Sequence, residues 1–280
     1  MPPKKIIAVN GINLACYEQG ESSNDTIFLL HGWPQTSHIW RFVLPLLSKK
    51  YRVIAIDLPG LGDSSNPSSY DTENVAKIIV GLADKLKLDQ LHLIGHDIGA
   101  WVAGALALSF ETRLKTLTVI DSGIPGLLPP SVFQPANANI IWQFYFHAIE
   151  DLPEFLTAGK EKAYFSWYFN KKTFIKNAIE PEDLEVYYAA YKGAGKMKSG
   201  FDYYRAFTTS AAQNKVLFAK GKLSLPVLAI GGQHALGDQF GISMQQIASH
   251  VQTETIADCG HYVPEEQPER LARLILAHVK

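Results

Sequence analysis

Residues 91–101, LHLIGHDIGAW, set a carboxylate at the centre of a turn suited to nucleophilic chemistry. Leu91 to Ile94 read as a buried strand, Gly95 to Gly99 as a sharp turn, and the apolar run beyond as a helix. The pattern is the strand, turn and helix of G-x-S-x-G, with Asp97 in place of serine. An aspartate ahead of a helix is also an ordinary N-cap. The flanking glycines favour a nucleophile, because they let strand and helix close on a strained turn. A carboxylate is ionised at neutral pH and attacks without a base to activate it, which suits displacement at a saturated carbon. The ester so formed needs an activated water and an oxyanion site to release it.

Candidates for those roles lie elsewhere in the chain. His261, in DCGHYVPEEQPERL, follows a glycine on the loop after the last strand-like run. A lone histidine is often structural, but here the chain order nucleophile, acid, histidine is kept. HGWPQTSHIW follows the third strand-like run, and Gly32 allows close backbone approach. The backbone N–H groups of Trp33 and Ile98 are the expected oxyanion donors, although the stretch also reads as a tight turn stiffened by Pro34. Asp121, in TVIDSGIP, ends the next strand and faces the same sheet edge, which makes it the expected partner of His261. Asp238 is the other choice and reads more simply as a solvated residue or a helix cap.

The elements that must hold these residues alternate between strand and helix. KKIIAVNGINLACYEQG predicts a hairpin turning at Asn10-Gly11. TIFLLHG, YRVIAIDLPG, LHLIGHD, KTLTVIDSG and LPVLAIGG read as short apolar strands, and TETIA as a last one. Helices are expected at His38–Ser48, Thr72–Leu86, Gly99–Ser109 and from Pro264 onward. Apolar strands alternating with helices predict an α/β fold, a mostly parallel sheet covered on both faces. Between Gly123 and about Lys215 the strand pattern vanishes, and IIWQFYFHAIEDL, KEKAYFSWYF and SGFDYYRAF bring helix-length aromatic segments. Residues 1–124 and 216–280 are therefore expected to form the core, with 125–215 as a helical cap over an apolar cavity.

Composition narrows the function classes. The 280 residues are 47% hydrophobic and 19% charged, which fits a globular enzyme and excludes disorder. A net charge of -1 gives no footprint for nucleic acid or an acidic membrane. Cys16 and Cys259 are expected to be reduced thiols. The N-terminus lacks a long apolar core and no run reaches the length of a membrane span, so a cytoplasmic protein is expected.

Jointly, HGWP, DLPGLGDS, GHDIG and GHYVPEEQPE resemble the alpha/beta-hydrolase fold. The resemblance is to its aspartate-nucleophile branch of epoxide hydrolases and haloalkane or haloacid dehalogenases. TVIDSGIPGLLP and SGFDYYRAF are most similar to bacterial epoxide hydrolases whose relay acid follows the sixth strand. Many related enzymes place that acid one strand later, where this chain has Ala235. The resemblance implies an alkyl ester on Asp97, hydrolysed by water that His261 activates with Asp121, without cofactor or metal. Tyr204 matches the cap tyrosine that protonates an opening epoxide, with Tyr203 as the fallback. Ile98 stands where haloalkane dehalogenases carry tryptophan and fluoroacetate dehalogenases arginine, which favours an epoxide. Gln143 replaces the histidine expected as a second donor, and His147 is the substitute one turn later. His31, Gln143, His147 and Tyr203 are accordingly the expected substrate contacts. The implied partners are a small apolar epoxide and water, with no nucleic acid or membrane and a homodimer as the candidate assembly. A dehalogenase with the same nucleophile is one alternative. A non-catalytic binding protein of the same fold is the other, and a complete Asp97, Asp121 and His261 set argues against it.

Overall fold

The computed structural model describes all 280 residues except Asn24 and Ala194, and all side chains except also those of Gln239, Phe240 and Ile242. Asn10 and Gly11, with φ of 50° and 81°, turn β1 (Lys4–Val9) back onto β2 (Ile12–Gln19). Positive φ at both central residues is what a two-residue hairpin of this twist requires. The remaining strands are β3 (Thr26–Leu30), β4 (Arg52–Ile56), β5 (Leu91–His96), β6 (Leu114–Ile120), β7 (Leu223–Gly232) and β8 (Ala248–Ile256). They form one sheet ordered β1-β2-β4-β3-β5-β6-β7-β8, antiparallel at β1, β2 and β4 and parallel from β4 onward.

Every residue of β3 and β5 is buried, because helices cover both faces of the sheet. One face packs on α2 (Thr72–Lys85) and α3 (Ile98–Phe110), the other on α1 (Leu44–Leu47) and, later in the chain, Pro268–His278. Asp71 caps α2 by accepting the N–H of Asn74 at 3.0 Å. Two expected helices are interrupted. His38–Ser48 is a 3-10 turn (Ser37–Trp40) followed by α1, and Pro45 lies in the first turn of that new helix. The helix expected from Pro264 divides in the same way at Pro268. Strand β8 begins five residues before TETIA, where ASHVQ is largely exposed and pairs with β7 alone, as an edge strand does. Cys16 and Cys259 are free and buried.

Between β6 and β7 the regular structure is helical: α4 (Ala138–Phe146), α5 (Leu152–Thr157), α6 (Glu161–Lys172), α7 (Pro181–Tyr191), α8 (Lys196–Arg205) and α9 (Phe207–Phe218). The expected division at 215/216 falls inside α9, which packs against α2 and α3. The chain ends with α10 (Gly237–Ile247), α11 (Val263–Glu266) and α12 (Pro268–His278). Aromatic residues of the helical insert converge on Trp33 of the sheet edge. Its ring centroid lies 4.8 Å from that of His147 and 5.4 Å from those of Tyr168 and Phe201. Such ring pairs add about 0.5–1.5 kcal/mol each beyond the area they bury. Gly200 leaves the space that the Trp33 indole occupies. Among the described residues no helix is long and apolar enough to cross a membrane.

Candidate active site

Asp97 sits at the tip of β5 with φ 53° and ψ -121°, a conformation that costs an L residue of order 1–3 kcal/mol. Close packing sustains it. A Cβ at residue 99 would strike the carbonyls of Leu30 and His31, and one at residue 95 the backbone of Gly99. Gly32 is equally constrained, because a side chain there would occupy the place of the Asp97 carboxylate. The backbone N–H of Trp33 donates to Asp97 Oδ1 at 3.0 Å. Ile98 opens α3 directly beyond the turn, with its side chain fully buried.

His261 lies between two carboxylates. Its Nδ1 meets Asp121 Oδ2 at 2.6 Å and its Nε2 lies 3.3 Å from Asp97 Oδ2. The second Asp121 oxygen accepts the N–H groups of Gly232 and Leu236 at 3.0 and 3.1 Å, so the β7 terminus and the loop after it fix it. Asp238 is exposed and accepts the Thr255 hydroxyl instead. Asp121, not Asp238, therefore faces the histidine.

Three residues of the site were not singled out from the sequence. His96 donates from Nε2 to the His261 carbonyl at 2.9 Å. Burial, then the charge of His261, lowers the His96 pKa to about 3, so that ring is neutral. Glu266 gathers four backbone N–H groups, those of Gly260 and Tyr262 beside the histidine and those of Phe174 and Ile175 in the insert. Lys172 accepts the His261 N–H on its carbonyl at 3.0 Å and is one of the residues that line the cavity. Two glutamates following His261 were the visible signal for Glu266; nothing local in sequence marks Lys172.

Electrostatics separate the roles. Burial alone would raise the Asp97 carboxyl, but the His261 hydrogen bond and the charges of His261 and Lys172 outweigh it. Asp97 is thus held well below the usual carboxylate range and is ionised at neutral pH. For His261 burial opposes the charged form, yet the bonds to Asp121 and Asp97 raise its pKa above the ordinary value.

Above Asp97 lies a cavity of about 450 Å³. Trp101, Leu128, Ile141, Trp142 and Phe144 make much of it apolar, while Gln143, Tyr204 and Lys172 bring polar groups to it. Burial, then the neighbouring Tyr168, pushes the Tyr204 phenol well above its ordinary pKa, so it is protonated at neutral pH. Gln143 is buried, and its Oε1 has no protein partner among the described residues.

Three expected substrate contacts lie elsewhere. His31 does not line the cavity: its Nδ1 donates to Gly32 O at 2.8 Å and its Nε2 accepts the Leu58 N–H at 3.0 Å. Both ring nitrogens are consumed in bracing the loop beside Asp97. Tyr203 does not line the cavity and donates to Pro59 O at 2.9 Å, as consecutive helical residues diverge by about 100°. His147 lies behind the wall, 4.6 Å from the Tyr204 ring, and shares a 2.6 Å hydrogen bond with the Tyr164 hydroxyl.

Known proteins carry the same architecture. The family model for the alpha/beta hydrolase fold matches residues 25–268. A soluble epoxide hydrolase of Corynebacterium sp. (strain C12) is 33% identical over 268 residues, covering 93% of this chain and 91% of that protein. The crystal structure of Cfl2 from Burkholderia cenocepacia superposes with a TM-score of 0.95 at 38% identity, covering 99% of this chain and 95% of that one. A fluoroacetate dehalogenase from Burkholderia sp. is 26% identical, covering 97% of this chain and 92% of that protein. The chain belongs to the alpha/beta-hydrolase family, in its epoxide hydrolase and dehalogenase branch.

Proposed function

We propose that this protein is an epoxide hydrolase that works through an alkyl ester on Asp97. The observation that carries the reading is the pairing of an ionised carboxylate, Asp97, with a protonated phenol, Tyr204, across one apolar cavity. A carboxylate oxygen attacks a ring carbon, the carbon–oxygen bond breaks, and its electron pair stays on the epoxide oxygen. Tyr204 gives that oxygen a proton, and the Gln143 amide is the second donor, replacing the histidine of related enzymes. The residues following Ile124, through 215, form the roof that keeps this step away from bulk water.

Ester formation removes the charge of Asp97, and His261 thereby loses one of the two carboxylates that hold it protonated. The imidazole releases its proton towards the Tyr204 phenolate and solvent, then takes one from a water that attacks the ester carbonyl. Asp121 stabilises the imidazolium so formed, and the N–H groups of Trp33 and Ile98 hold the oxyanion. Collapse restores Asp97 and frees a diol. The soluble epoxide hydrolase relative supports this reading. So does Ile98, whose side chain has no N–H to receive a halide. The test is turnover of a panel of neutral epoxides beside release of halide from chloroalkanes and haloacetates. Diol formation without halide release is expected. Ready halide release with no diol would overturn the reading in favour of a dehalogenase.

A further inference from the structure

We propose that Lys172 is the anion-binding residue of the substrate cavity, and that the preferred epoxides carry a carboxylate beside the ring, as α,β-epoxy acids do. The proposal rests on the epoxide hydrolase reading and specifies its substrate class. Lys172 ends α6 and lines the same cavity as Asp97, Gln143 and Tyr204. Its ammonium lies 4.6 Å from the Tyr168 ring centroid, and Tyr168 is the phenol neighbouring Tyr204. Among the described residues it forms no ion pair, although two aspartates of the site are close enough for their charges to act on it.

A nucleophilic carboxylate repels an anionic substrate, so an enzyme for epoxy acids must balance that charge. Asp97 and Asp121 contribute two negative charges to the lining, and His261, Lys171 and Lys172 contribute three positive ones. With histidine neutral the two aspartates and two lysines of the lining balance, and a protonated His261 leaves the cavity positive by one charge. Lys171 is exposed at the rim, whereas Lys172 is half-buried and its main chain is anchored. The His261 N–H holds the Lys172 carbonyl, and Thr173 closes the helix on Phe169 O at 3.0 Å. The backbone that carries the ammonium is therefore fixed beside the reacting groups, where an apolar epoxide offers that charge no partner. Burial, partly offset by Asp97 and Asp121, lowers its pKa, which an incoming carboxylate would reverse.

The experiment compares 3-phenylglycidate with its neutral isostere 3-phenylglycidamide, with styrene oxide as the reference epoxide. Wild type should favour the glycidate over the amide by about tenfold or more in kcat/KM, and Lys172→Met should erase that preference. Lys172→Arg should retain it. If Lys172→Met slows both substrates equally, Lys172 acts only on the aspartates and the proposal fails. It fails too if wild type opens styrene oxide but favours the amide. Binding separates this inference from the reading beneath it. Quenching of tryptophan fluorescence by 3-phenylpropionate and 3-phenylpropionamide reports the subsite without turnover. Carboxylate-selective binding that Lys172→Met abolishes, in a protein that opens no epoxide, would keep the anion site and sink the epoxide hydrolase. Equal binding of acid and amide would sink the anion site.

Discussion

Asp121 offers one carboxylate oxygen to His261 at 2.6 Å and gives the other to two backbone N–H groups, one at the end of β7 and one in the loop that follows it. The imidazole is consequently held by a group that cannot itself swing. Asp121→Asn should slow ester hydrolysis by about 10²-fold or more, since the imidazolium loses its counter-charge and the ring its tautomer. Ester formation should change far less. Stopped-flow tryptophan fluorescence resolves the two phases, and Asp238→Asn should leave both intact.

Removing the base should trap the intermediate. His261→Gln is expected to undergo alkylation and then stall, giving a mass increase equal to one substrate on the peptide containing Asp97. Intact and peptide mass spectrometry detect it. Absence of the adduct with an epoxide that wild type opens would exclude the two-step route.

The adjacent tyrosines should separate chemistry from stability. Tyr204→Phe should slow ester formation by about 10²-fold and leave decay of a preformed ester nearly unchanged. Tyr203→Phe should leave both phases alone and cost about 1 kcal/mol of folding stability, because Pro59 O loses its buried partner. Denaturant titration measures the second effect and pre-steady-state kinetics the first.

The pH dependence follows from the two carboxylates about His261. Its raised pKa belongs to the free enzyme, in which Asp97 is charged. In the ester that charge is gone, so the apparent pKa for ester hydrolysis should lie below the His261 value measured by NMR in the free enzyme. Hydrolysis should fall as pH drops through that lower value, since the base must be neutral. Linkage gives the sign for folding. A raised histidine pKa contributes stability that is complete below about pH 6.5 and is lost as pH rises through the folded value. The stability gap between wild type and His261→Gln should therefore narrow in alkaline urea titrations.

Asp97, Asp121 and His261 were legible because each sits at a backbone landmark: a glycine-bracketed turn, a strand end, and a loop after the last strand. The hairpin at Asn10-Gly11 was legible for the same reason, since its turn demands a particular φ. Cap side chains were harder, because helical register decides whether a residue meets substrate or packs behind it. Gln143 reaches the cavity, whereas His147, little more than one turn on, supports the Tyr204 ring from behind. His31 reads as a polar contact and is one, but with the backbone of Gly32 and Leu58. Lys172 becomes a site residue only through the tertiary position of α6.

The shared hydrogen bonds of Glu266 and Lys172 restrict how such an enzyme can be remodelled. Gly260 has no room for a side chain because the backbone of Lys172 and Phe174 fills that space. A chimera that exchanges the roof for one from a relative would have to keep the segment 172–175, or the His261 loop would lose its footing along with the old specificity. The natural splice points therefore lie inside the insert, on the far side of that segment, and not at its apparent borders.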